Sequence, residues 1–339
     1  MTICAPGDPL ALDRRQAISV LAGTALCGMF PFTVEANEPS TEVFLSSAQV
    51  ASGGHAIVAL DAVGKTLGTI PLAARGHDFA VRADGLCVAF ARRPGTFAVA
   101  FHPRQMNRQE PQLFASPPQR HFNGHGTFSA DGRLLYASEN DFNTGTGCIG
   151  IYNARTFERL GEFPSGGVGP HEILLLPNSL IAVANGGIET HPDFPRAKLN
   201  LETMRPNISL LDPRSGEIVE REELPATLHK LSIRHLAWSQ AGQALWFGCQ
   251  WEGEAGLGKP LVGQYHPGRK ISLISSPVGG WEQMRDYIGS VAATADGKRI
   301  AVSSPRGGRV LIWNADGSEA TSLTRRDVSG LATYKSGFA

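Results

Sequence analysis

A histidine that precedes a turn by about seven residues recurs along this chain, and that recurrence limits the fold more than any other feature. It reads Gly76-His77 before Asp84-Gly85, Gly124-His125 before Asp131-Gly132, Pro170-His171 before Pro177-Asn178, and Arg234-His235 before Ala241-Gly242. A fifth copy has Gly289-Ser290 before Asp296-Gly297, and Ser329-Gly330 marks a sixth. Apolar runs follow the turns at 86–91, 134–138, 180–184, 244–249 and 299–303. Third runs lie at 97–101, 148–152, 207–211, 261–265 and 309–313, and more polar fourth runs follow, as at 158–163 and 218–224. Four short strands per unit, at spacings of 46 to 64 residues, are the signature of propeller blades. The chain is therefore expected to be an all-β β-propeller of six four-stranded blades, with seven left open by the ends. The first unit supplies three strands, at 43–48, 55–61 and 66–72. Residues 330–334 are expected to supply its fourth, so that amino- and carboxyl-terminal strands close the ring and remove the free sheet edge.

Composition agrees with a chain that turns often. Glycine (39) and proline (22) are abundant among 339 residues, and no long amphipathic pattern is visible after residue 36. Lys plus Arg and Asp plus Glu are 31 each, so no basic excess points to nucleic acid. A hydrophobic share of 42% supplies a core and excludes a disordered chain. Residues 37–339 are expected to form one domain.

Residues 1–36 read as an export signal. Asp13-Arg14-Arg15-Gln16 is a charged segment, residues 17–32 are apolar, and Val34-Glu35-Ala36 is a small-x-small cleavage site. About 16 apolar residues are too few for a stable membrane span. Paired arginines before a mildly hydrophobic stretch point to twin-arginine export into the periplasm, although Ala17 stands where a bulky apolar residue is usual. General secretion and a cytosolic start are the alternatives. Leu26 before Cys27 argues against a lipoprotein site. Cys87, Cys148 and Cys249 remain in the mature chain with no C-x-x-C spacing. They read as small buried strand residues, with one disulfide as the alternative.

The first strand of a blade lines the central channel. The repeat thus predicts that His77, His125, His171 and His235 converge at one channel mouth, with Ser290 in the fifth place. Imidazoles grouped in this way suit a transition metal such as iron or copper, and carboxylates can complete the shell. Glu172, Glu139 and Asp141 are the candidate carboxylates, and Arg234 lies beside His235. The competing reading makes each histidine structural, bonded inside its own blade. An insertion separates His171 from His235. In it Glu189, His191 and Asp193 alternate, and an extended backbone puts all three on one side as a second candidate metal site. The alternative is a polar loop with His191-Pro192 as a turn. His229 is close enough in sequence to approach the mouth. His55, His102, His121 and His266 read as surface or turn residues. Arg92-Arg93 and Arg306 lie in second-to-third strand connections, where arginines can recognise a carboxylate or another anion. No G-x-S-x-G, H-E-x-x-H, Walker loop or C-x-x-C-H motif is present.

Several stretches together resemble a family of exported bacterial propellers, catalogued as domain of unknown function 1513. They include Arg75-Gly76-His77, 91–99, Gly124-His125-Gly126 through Glu139-Asn140-Asp141, Gly169-Pro170-His171-Glu172, 183–193 and Lys198-Leu199-Asn200-Leu201. Leu231 to Leu236, Phe247-Gly248-Cys249-Gln250 and Ser303 to Gly308 continue the likeness. Thr333 to Ala339 is shorter than the family pattern. The resemblance implies a twin-arginine-type signal and a genomic neighbourhood of periplasmic iron-uptake and imelysin-like proteins, which are the partners it suggests. It carries over no catalytic role. The expected function is a periplasmic propeller that binds a metal ion or small ligand at a histidine-lined mouth, accessory to iron handling. The alternatives are an interaction platform for iron-uptake proteins, with Trp251 and residues 186–206 as contacts, and a metal-dependent hydrolase or oxidoreductase of lactonase-like type.

Overall fold

The computed structural model describes residues 42–339 apart from 52, 195, 196 and 319. The export signal lies outside the described residues. Six antiparallel sheets follow one another in chain order as the blades of a β-propeller. Blades 2 to 6 have four strands each, and their first strands are Gly76–Val81, Arg120–Phe128, Pro170–Leu175, Leu231–Ser239 and Ser290–Ala293. The only helices among the described residues are four short 3-10 turns.

Burial explains why each run takes its place. Second strands are continuous apolar runs: every residue of Cys87–Ala91 and of Ile181–Asn185 is buried, because neighbouring blades cover both faces. Outer strands alternate instead. Arg159–Pro164 and Ile218–Glu223 expose every second residue, as an edge with one covered face requires. Aromatic rings fill the wedges between blades. Phe90 meets Phe122 at 5.4 Å between blades 2 and 3, and Trp246 meets Trp313 at 6.1 Å between blades 5 and 6. Cys87, Cys148 and Cys249 are free and buried in strands, so no disulfide forms among them. Burial raises all three thiols, Cys87 to about 12.

The seam differs from the expected closure. Blade 1 has three strands, Val43–Gln49, His55–Asp61 and Thr66–Leu72, and no strand pairing joins the carboxyl-terminal segment to it among the described residues. That segment pairs with itself, Thr333 with Phe338 and Tyr334 with Gly337. It is held to blade 6 where Leu331 N–H donates to Ser290 Oγ (3.2 Å) and Thr333 Oγ1 donates to Ala293 O (2.6 Å). The Tyr334 ring meets Phe44 of blade 1 at 5.4 Å, so a side-chain contact spans the seam.

Candidate functional site

The first strands of blades 2 to 5 share a defect. Gly76 pairs with Ala91 and Phe79 with Ala89, so His77 and Asp78 stand opposite the single residue Phe90. Pro170 pairs with Asn185 and Ile173 with Val183, which leaves His171 and Glu172 opposite Ala184. Arg234 is the extra residue between Ile233 and His235. In blade 3 the break spans Asn123, Gly124 and His125, opposite Ser138. A bulge twists a strand and re-aims the side chains it carries. Four bulges at one end of four inner strands place their side chains in one volume.

The four sequence-predicted histidines are there. Ring centroids are 4.7 Å apart for His77 and His125, 4.4 Å for His125 and His171, and 4.9 Å for His171 and His235. His77 meets His171 at 5.3 Å, and His125 meets His235 at 5.7 Å. His77, His125 and His171 can offer one nitrogen each within 4.8 Å of one another, and so can His125 and His235 with Glu172. Two nitrogens bound to one zinc-like ion lie roughly 3.3 Å apart, so modest side-chain rotation separates this arrangement from a closed shell.

Asp78 and Glu172 occupy matching bulge places, and each turns to the histidine of the next blade. Asp78 Oδ2 lies 2.8 Å from His125 Nδ1, and Glu172 Oε2 lies 3.1 Å from His235 Nδ1 while also accepting Leu236 N–H. A carboxylate on one ring nitrogen fixes the ring and leaves the other to a metal. His125 Nε2 and His171 Nδ1 are buried and have no hydrogen-bond partner. Buried polar atoms are normally satisfied, so these two fit a site meant to be filled. Burial, and then the charge of His125, pushes both His77 and His171 well below the usual imidazole range, so they present neutral lone pairs. Burial alone would lower His125 too, but Asp78 outweighs it and raises the group. Burial opposes ionisation of Asp78, yet its contact with His125 prevails and holds the carboxyl at about 2. Asp78 lies deep among protein atoms, yet 47% of its side chain is reached by water. It therefore lines a channel rather than a sealed core.

The other candidates sit elsewhere. Glu139, on the second strand of blade 3 opposite Phe122, receives Tyr152 Oη–H at 2.5 Å and Arg159 Nη2–H at 2.9 Å. Burial raises its carboxyl despite Arg159. Asp141 pairs with Arg120 at 3.0 Å. Both acids serve blade 3 and do not join the histidines. In the insertion His191 Nδ1 lies 3.7 Å from Asp193, while Glu189 lies against Gly145; the three do not form one donor group among the described residues. His229 bonds its ring to Ala226 O and stays out of the cluster. Arg306 lies over the Tyr287 ring at 4.4 Å. His121 departs from the surface reading. It is fully buried, with Nδ1 3.1 Å from Phe122 O and Nε2 3.2 Å from Thr190 Oγ1, so it docks the insertion on blade 3. Its position four residues before His125 gave no sign of that contact.

The geometry revises one detail of the repeat. His77 and His171 stand near the start of their strands, whereas His125 and His235 lie within strands that begin at Arg120 and Leu231. Asp78 was missed by reasoning from the sequence, and its signal was its place directly after His77, as Glu172 follows His171. Two surface hollows, around Phe101 and His102 and around Gln264 and His266, lie away from this mouth.

Solved structures show the same fold. Hydrazine synthase of Kuenenia stuttgartiensis matches with a TM-score of 0.60 at 16% identity, over 78% of this chain and 72% of that one. The RRP9 WD40 repeats match at 0.58 and 14% identity, over 87% and 81%, and U3-55K at 0.57 and 13%, over 87% and 82%. At such identity the likeness carries the propeller fold alone. No curated protein matches the chain. No helix among the described residues is long and apolar enough to cross a membrane. The model of the family described as "Protein of unknown function (DUF1513)" matches residues 70–339, which takes in all four bulged blades, and the chain belongs to that family.

Proposed function

We propose that this propeller binds one transition metal ion at its channel mouth, through His77, His125, His171 and His235. The observation that carries the reading is the buried, unpartnered nitrogens of His125 and His171 inside a group of four imidazoles. Asp78 and Glu172 orient two of the rings from behind. An all-imidazole donor set suits copper, iron, zinc or nickel rather than magnesium or calcium, which take oxygen ligands. Iron or copper is the ion the proposal names. The paired arginines at 14 and 15 support export to the periplasm, and the family resemblance supports a role accessory to iron handling there.

One experiment tests both parts. The full chain is expressed in a Gram-negative host, recovered by compartment, and analysed for bound metal. The expected result is about one equivalent of iron or copper in periplasmic protein. Arg14→Lys with Arg15→Lys should keep the chain in the cytoplasm. His125→Ala with His171→Ala should lower metal affinity at least about 100-fold. Equal, negligible metal in wild type and the double variant would sink the metal site, and undiminished export of the lysine variant would sink the route.

A further inference from the structure

Arg234 is the bulged residue of blade 5 and is 1% exposed. None of its three guanidinium nitrogens has a hydrogen-bond partner. Its nearest acid, Glu252 Oε1, is 3.6 Å away, and the other oxygen of that carboxylate takes Lys198. A guanidinium carries five N–H donors and cannot shed its charge. Left in this state it destabilises the fold, as a buried ion without a full partner does.

A second guanidinium aggravates the imbalance. Arg93, half-buried in the connection after the second strand of blade 2, lies within range of the charge of Arg234, with the exposed Arg92 close to both. The charge of Arg234 also reaches His171 on blade 4, and Tyr287 at the entry to blade 6 acts on it in turn. A side chain from blade 5 that interacts with blades 2, 4 and 6 lies near the ring axis. Arg93, Arg234 and Lys198 share one acid, Glu252. Water can fill N–H groups, but it offsets the charge of the buried Arg234 poorly.

We infer that Arg93 and Arg234 form an anion-binding site at the channel mouth beside the histidine cluster, and that it takes the carboxylate of a small organic acid. The planar fork of arginine matches two coplanar oxygens bidentately, and a carboxylate between the two guanidinium groups can accept from both while offsetting one of their charges. The site stands on the arginines alone and does not require the metal.

Calorimetric titration of metal-free protein at low ionic strength, with citrate, oxalate, acetate and inorganic phosphate, tests this. Wild type should bind a carboxylate with saturable 1:1 stoichiometry. Arg234→Met and Arg93→Met should each weaken it at least tenfold, and His125→Ala with His171→Ala should retain it. Unliganded Arg234→Met should melt at a higher temperature than wild type, because an unpaired buried charge is replaced by an apolar chain of similar length. A lower melting temperature would assign Arg234 a structural role and overturn the inference. So would carboxylate binding that survives both methionine variants, binding seen only after metal is added, or a preference for phosphate over every carboxylate.

Discussion

The inner strands of blades 2 to 5 and the inner strand of blade 6 descend from the same repeat but do different work. In the first group the ladder breaks at the mouth end, and the break delivers His77 with Asp78, His125, His171 with Glu172, and Arg234 with His235. In blade 6 the register runs unbroken from Ser290 opposite Ser303 to Ala293 opposite Ile300. Ser290 there spends its hydroxyl on Leu331 N–H and so holds the carboxyl-terminal segment. A regular ladder consumes its own polar groups and alternates its side chains strictly. A bulge frees two neighbouring side chains to face one space. Among these inner strands, broken register marks the site and regular register marks the scaffold.

The strongest way to break this contrast is to cut a charged network that lies off the inner strands. Arg159→Ala leaves Glu139, with no exposed side-chain surface, without its guanidinium. Loss of one partner of a buried pair costs about 3–5 kcal/mol, and uptake of a proton by Glu139, already favoured by burial, places the expected value at the lower end. Chemical denaturation should show this destabilisation, while titration with copper(II) below the unfolding range should give unchanged affinity. A loss of metal affinity as large as that of the histidine double variant would place blade 3's interior in the site and dissolve the contrast.

A change inside a bulge should do the reverse. Gly124 has φ +102°, and a Cβ there would fall 2.4 Å from His77 Cδ2. Gly124→Ala therefore strains the backbone by about 1–3 kcal/mol and pushes the His77 ring aside. Metal affinity should fall about tenfold or more, by the same titration. Affinity equal to wild type would show that the ring of His77 lies outside the ligand set.

How much of this was legible beforehand follows from what kind of information each feature is. The blades, and the convergence of four histidines, could be read because each His keeps its distance from a turn such as Asp84-Gly85. Local turn chemistry sets that distance within one hairpin. The bulges could not be read, because register belongs to two strands and depends on hydrogen bonds that no single run encodes. Without register, Glu139 and Glu172 both read as candidate carboxylates for the cluster; one serves Arg159 inside a blade and the other serves His235 across to the next. The pairing of Glu189 with His191 and Asp193 presumed an extended backbone. The insertion turns at His191, where Asp193 N–H donates to the ring nitrogen, and alternation is lost. The seam differs for a related reason: residues 330–334 read as one strand, but Thr333 and Tyr334 pair with Phe338 and Gly337 across a turn instead of with blade 1.

The smallest expected effect is at blade 6. Ser290 holds the repeat position that histidine holds elsewhere, so a site defined by sequence position alone would include it. A site defined by broken register excludes it. Ser290→Ala removes one hydrogen bond from a backbone N–H, a loss of about 0.5–1.5 kcal/mol. That loss should appear as faster amide exchange at Leu331 and in the segment that follows, where Thr333 keeps its own bond to Ala293. Metal affinity should stay within about twofold of wild type. If Ser290→Ala instead weakened metal binding as Gly124→Ala is expected to, the hydroxyl would have to reach the ion from an unbroken strand. The bulges would then be incidental to the site, because side chains would reach the channel equally well without them.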